Sequence, residues 1–148
     1  MLIPLSLTRA TANHREIVIM KRLLSLTVLM SFPIIAEVNS WECGKFEGAK
    51  IIASDGTPLG KLGPKWKSDS IFNDSSEHST TWSSNSIFNS SNDYGNSYSS
   101  DSVFNESASN PPRIISEEGG EIGKLSVGPS WDSTRYDPND IKYTCDWD

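Results

Sequence analysis

The chain has 148 residues, a net charge of -6 at neutral pH and only two cysteines, a length suited to one domain. From Trp41 onward, nine Lys and Arg face seventeen Asp and Glu. That acidic surplus repels phosphate backbones and excludes nucleic acid as the partner.

The first element reads as a leader. Lys21 and Arg22 precede an apolar run from Leu23 to Ala36, broken by Ser, Thr and Pro33, too short to span a bilayer comfortably. This is the pattern of a secretory signal peptide, with cleavage expected after Ala36 or after Ser40. An uncleaved membrane anchor is disfavoured by the short run and by Pro33. Met20 stands where such a leader starts, so residues 1–19 are read as a mis-assigned upstream extension, 20–40 as the signal peptide and 41–148 as one mature domain. Cys43 follows Trp41-Glu42, where a lipoprotein signal needs small residues. The expectation is a periplasmic or extracellular product with no stable membrane insertion after processing. In an oxidising compartment, Cys43 and Cys145 are expected to form a disulfide.

Lys50 to Ala53 reads as a strand, Asp55-Gly56 as a tight turn and Pro58 to Leu62 as the returning strand. Pro58 restricts that strand to an edge or a non-bonded position. A second hairpin follows Ile114-Ile115, with Gly119-Gly120 at its turn and Ile122 to Leu125 returning. Gly60-Lys61-Leu62 is matched by Gly123-Lys124-Leu125, and Gly63-Pro64-Lys65-Trp66 by Gly128-Pro129-Ser130-Trp131. A glycine before the lysine leaves room for another backbone or an aromatic ring against the strand. The two hairpins, residues 50–62 and 114–127, are expected to form one antiparallel sheet, since a lone hairpin is marginal in water.

Between them, residues 68–115 carry one phrase three times, Ser-Asp/Asn-Ser-Ile/Val-Phe-Asn, starting at Ser68, Ser84 and Ser100. Trp82, Tyr98 and Ile114 keep the same sixteen-residue step. Residues 68–110 hold sixteen serines and seven asparagines, a composition suited to a disordered linker, but strict spacing of an aliphatic-aromatic pair points to a packed repeat unit. Adjacent Ile and Phe share one side of a helical turn but oppose each other on a strand. Each phrase is therefore read as a capped helical or 3-10 turn, with Asp69 or Ser70 as the cap and left-handed Asn73 as the end. Ile71-Phe72, Ile87-Phe88 and Val103-Phe104 are expected to be buried together. Pro111-Pro112 ends the last repeat. Asp137-Pro138-Asn139-Asp140 is a turn or helix start leading into a short terminal strand or helix. The fold class is thus mainly β with short helical turns, two related hairpins bracketing three 16-residue repeats.

Asp55-Gly56, Leu59 to Leu62, the three phrases, Tyr94-Gly95, Asn110 to Pro112 and Asp137-Pro138 stand in an order that resembles a group of exported bacterial proteins of undefined function. Their repeats read SIFN or SIWN followed by a YG-rich segment, then an NPP strand, a Gly-turn hairpin and a DP-containing tail. The resemblance covers about residues 55–141. Glu77 and His78 stand where Tyr-Gly is expected, and Gly63 and Gly128 where asparagine often stands. The resemblance implies export and a shared fold, and transfers no catalytic residue.

Catalytic chemistry is sparse. His78 is the single histidine after the leader, with no G-x-S-x-G elbow, and zinc lacks ligands beside two bridged cysteines. Calcium has oxygen donors at Asp93 and Asn96 and at Asp137, Asn139 and Asp140, though satisfied turns are the better reading of both clusters. No cofactor is expected. The five tryptophans are expected to fill a core short of leucine, with Trp66 the exception, placed at an edge by Lys65 and Lys67; with Trp82 it offers a stacking surface for a sugar or peptide. The expectation is a non-catalytic binding or structural module of the bacterial envelope, its partner an envelope polymer or a protein. The alternatives are a small hydrolase acting on an envelope polymer and a calcium-stabilised secreted module.

Overall fold

The computed structural model describes residues 38–129 and 131–148; the upstream extension and the leader as far as residue 37 lie outside the described residues. Both hairpins form as the sequence predicts. Strand β1 (Lys50–Ile52) returns as β2 (Pro58–Lys61), and β3 (Arg113–Ile115) as β4 (Glu121–Leu125). The turns close with the same bonds: Ala53 N donates to Thr57 O and Gly56 N to Ala53 O, as Ser116 N donates to Gly120 O and Gly119 N to Ser116 O. Gly56 and Gly119 take φ of 91° and 92°, a region closed to most side chains.

The hairpins join through their first strands. β1 and β3 pair antiparallel, with Ile51 opposite Ile114, each the counterpart of the other in its own hairpin. Pro58 opens β2, which lies at one end of the sheet order β2-β1-β3-β4-β5. The fifth strand, β5 (Arg135–Tyr136), is unannounced in the sequence and runs parallel to Lys124–Leu125, making the sheet mixed. Room for it comes from Gly123, where a Cβ would sit 2.5 Å from the Thr134 carbonyl and 2.7 Å from the Tyr136 ring. Gly60 does the same for hairpin 1, against the His78 ring and Ile71.

Short helices hold the ends. A 3-10 turn at Ser40–Glu42 leads into α1 (Cys43–Phe46), and the tail forms α2 (Pro138–Thr144) rather than a strand. The side chain of Asp137 accepts a bond from Asn139 N, and Pro138 takes the first helical position, where a missing N–H costs nothing. Cys43 and Cys145 are bonded, 102 residues apart.

The repeats differ from the expectation. None of the three phrases is helical; the sole 3-10 turn of the region is Glu77–Ser79, in a connector. Instead the chain makes β-turns end to end, each starting where the last finishes: Ser70 O accepts from Asn73 N, Asn73 O from Ser76 N and Ser76 O from Ser79 N, then Ser83 O from Ser86 N, Ser86 O from Asn89 N and Asn89 O from Asn92 N. The residue opening each turn also accepts, through its side-chain oxygen, a bond from the N–H two positions on. Ser70, Asn73 and Ser76 do this in the first repeat, Ser83, Ser86, Asn89 and Asn92 in the second, and Asn96, Ser99, Ser102 and Asn105 in the third. Serine and asparagine are the residues that offer the backbone this local partner.

Asn73 therefore opens a turn instead of ending a helix, and among the described residues the single non-glycine at positive φ is Asp146. From Ser86 to Ser102 the turns step by three residues except once, where Asn96 N reaches back four to Asn92 O. That single longer step across Tyr94-Gly95 makes the period sixteen rather than fifteen.

The phrases are held alike. In each, the closing asparagine donates its amide six residues back: Asn73 to Lys67 O, Asn89 to Ser83 O and Asn105 to Ser99 O, at 2.8 to 3.0 Å. Ile71, Ile87 and Val103 are buried, in one core cluster with Ile51, Leu59, Ile114 and Leu125 of the sheet. Phe72 is buried beside Trp147, while Phe88 and Phe104 are half-buried against each other, ring centres 5.9 Å apart. The layer is fastened at both ends. Lys61 N donates to Asp69 O and Ile71 N to Lys61 O beside β2, and Val127 N donates to Val103 O just past β4.

Candidate ligand-binding face

The expectation of a tryptophan core is overturned. Trp147 alone is buried; Trp41, Trp66, Trp82 and Trp131 are exposed. Isoleucines, leucines and Val103 fill most of the interior with Phe46 and Phe72, side chains that pack closely between the sheet and the turn layer.

The exposed aromatics are placed by the turns. In a turn opened by residue i, the third residue is i+2. Trp66 holds that position in the turn closed by Lys67 N and Pro64 O at 3.0 Å, and Tyr98 in the turn closed by Ser99 N and Asn96 O at 3.0 Å. Trp82 holds it in a turn closed by Ser83 N on the Thr80 hydroxyl, 3.2 Å. The three are sixteen residues apart in sequence and immediately precede Lys67, Ser83 and Ser99, whose carbonyls the phrase asparagines hold. Their exposures are 73%, 80% and 92%. The sequence signal for this face was the step of Trp82, Tyr98 and Ile114; Ile114 is instead buried in β3, and Trp66, on the same step, is the third exposed ring. Trp131 repeats the Trp66 turn just past hairpin 2, with Asp132 N on Pro129 O, and is exposed as well.

Around Trp66 the two lysines differ. Lys65 is exposed, whereas Lys67 lies 2.9 Å from Glu47, whose carboxylate raises the lysine's pKa above its ordinary value. The calcium candidates serve the backbone: Asn96 accepts from Tyr98 N at 2.9 Å and Asp137 from Asn139 N at 2.8 Å, while Asp93 and Asn139 are exposed. Asp140 lies in the first turn of α2. Among the described residues no three His, Cys, Asp or Glu side chains gather within reach of one metal ion, and no helix is long and apolar enough to cross a membrane.

His78 lines a cleft of about 340 Å³ with Lys50, Lys61, Asp69, Glu77 and Asn85. It takes the place in the first repeat that Tyr94 takes in the second: the His78 carbonyl accepts from the Ser86 hydroxyl, as the Tyr94 carbonyl accepts from Val103 N. Its Nδ1 faces Asn85 O at 3.4 Å and its Nε2 the Glu77 carboxylate at 3.7 Å. Asp69 is bound to Lys61 at 2.7 Å, which lowers the carboxyl's pKa. Tyr94 instead donates its hydroxyl to Asp55 at 2.8 Å, tying the second repeat to the turn of hairpin 1.

Arg135 was missed by sequence reasoning, since nothing in the acidic tail marks it. Its guanidinium donates to Gly128 O (2.7 Å), Ala108 O (2.9 Å), Ser126 Oγ (3.2 Å) and Asp132 (3.0 Å), stitching β5, hairpin 2 and the third repeat together. A planar five-donor fork can do this and an ammonium cannot. No family model, curated protein or solved structure matches this chain.

Proposed function

We propose that this is an exported, non-catalytic binding module of the bacterial envelope, akin to the group of exported proteins its repeats resemble. The observation that carries the reading is the exposure of Trp66, Trp82 and Tyr98, each two residues ahead of one of the three phrases. Tryptophan and tyrosine, apolar in body with a polar edge, are enriched at interaction surfaces. The Cys43–Cys145 bond fits an oxidising compartment.

Export further implies a processing site. Val38 is buried in the core and Asn39 and Glu42 cap the first turn reciprocally, so cleavage after Ser40 would strip a core residue and a cap. Cleavage after Ala36 keeps both. N-terminal sequencing of the exported protein is expected to begin at Glu37, and a start at Trp41 would contradict this.

A hydrolase is the second reading, and the His78 cleft is the feature that favours it. Assays on envelope polymers with His78→Gln, Glu77→Gln and Asp69→Asn variants separate the two. Polymer binding without bond cleavage is the expected result. Cleavage abolished by one of these substitutions, with the fold retained, would replace the binding reading with the enzyme.

A further inference from the structure

The turn ribbon itself does not ask for an aromatic residue at the third position. Neighbouring turns fill that position with Ser75, Asn85, Ser91, Asp101 and Ser107, all compatible with the same bonds. Trp66, Trp82 and Tyr98 therefore owe their size to something other than the turns. None of them is packed into the core, where each ring would remove a large apolar area from water.

The surroundings narrow the partner. Ser68, Ser84, Ser97 and Ser100, within two residues of the rings in sequence, are exposed and offer uncharged groups that donate and accept hydrogen bonds; of the two lysines flanking Trp66, Lys67 is paired with Glu47 and Lys65 is exposed. The chain as a whole carries a net charge of -6, which repels polyanions at long range. Flat apolar rings accompanied by serine hydroxyls complement a molecule with apolar C–H faces and hydroxyl edges. Rings at a fixed repeat interval complement one that repeats itself.

We infer that Trp66, Trp82 and Tyr98 form a row that binds an uncharged polysaccharide, each ring stacking under a sugar of an extended chain. This rests on the binding-module reading and gives it a ligand class. Trp131 shares the local turn of Trp66 but stands off the sixteen-residue step and precedes no phrase, so it is not part of the row.

Affinity electrophoresis of the full chain tests the row, using gels cast with hydroxyethyl cellulose, galactomannan or glycol chitin as uncharged polymers and polygalacturonate as the acidic one. Retardation is expected in at least one uncharged gel. Trp66→Ala, Trp82→Ala and Tyr98→Ala should each weaken it about fivefold or more, and Trp131→Ala should leave it unchanged. Trp82→Gln serves as a second variant, with unchanged urea midpoints reporting intact folding. Retardation by the acidic polymer alone, by no polymer, or undiminished in the triple variant would overturn the row. So would an equal loss from Trp131→Ala. None of these outcomes touches the non-catalytic reading, which falls only if polymer bonds are cut.

Discussion

Asn89 shows how much a single side chain carries in this ribbon. It is buried, its Oδ1 accepts from Ser91 N at 2.9 Å and its amide donates to Ser83 O at 3.0 Å. Asn89→Asp keeps the acceptor and points a second oxygen at the Ser83 carbonyl. The buried carboxylate is disfavoured and its folded pKa rises above the ordinary value of about 4. The variant should therefore be most stable below that value and lose stability as pH rises through the raised one, by about 1–3 kcal/mol at pH 7, read from urea midpoints across pH. A midpoint equal to wild type at pH 7 would show the amide bond to be dispensable.

Asp132 behaves oppositely. Bonds from the Thr134 hydroxyl and N–H, then from Arg135, pull its carboxyl from 3.8 down to about 2. A depressed folded value contributes stability above the unfolded pKa that is lost as pH falls from about 4 to about 2, on the order of 1 kcal/mol after solvent screening. Asp132→Asn should flatten that part of the acid-unfolding curve. Asn89 stood out as the closing residue of a repeated phrase and Asp132 did not, but the bonds of both were hidden, because they are made with carbonyls and a guanidinium that only the folded backbone brings near.

At the scale of elements, the hairpins were legible and the repeats were half so. Asp55-Gly56 and Gly119-Gly120 announce turns, and the two Gly-Lys-Leu strands announce their kinship, because turn geometry and close approach admit few residues. The phrases announce burial through Ile71, Ile87 and Val103, but their helical reading failed on a local rule. Ile and Phe can share a side of a β-turn as they can of a helical turn, and the serines and asparagines that looked like caps and connectors recur every three residues, the interval of successive turns. That interval was visible in Ser83, Ser86, Asn89 and Asn92. Burial then ranks the residues: Ile87→Ala should cost about 2–5 kcal/mol and half-buried Phe88→Ala roughly 2 kcal/mol. A reversed order in chemical denaturation would mean that the ring pair with Phe104, not the aliphatic row, anchors the layer.

For the whole molecule, the disulfide joins Cys43 of α1 to Cys145 at the C-terminal cap of α2 and so ties the two ends of the described fold. Closing a loop of about a hundred residues removes unfolded-chain entropy worth up to about 4–5 kcal/mol, so reduction should lower the urea midpoint by an amount corresponding to several kcal/mol; an unchanged midpoint would mean the helices hold the termini unaided. The pairing was legible from two cysteines at opposite ends. β5 was not, since a two-residue strand has no periodicity and depends on Gly123 and Arg135 for its place.

The repeat layer is bonded to β2 through Asp69 and Ile71 and to the chain beyond β4 through Val103, while β1 and β3 hold the two hairpins to each other. Repeat and sheet thus form a circuit, and a circuit has a fixed circumference. An open stack of repeats grows or shrinks by whole units at little cost, but here the width of the sheet counts the copies. Duplicating residues 84–99 should leave one fastening unmade and lower the unfolding midpoint, although the inserted sequence obeys every local rule of the ribbon. A duplicated chain as stable as the original would mean that the circuit can widen.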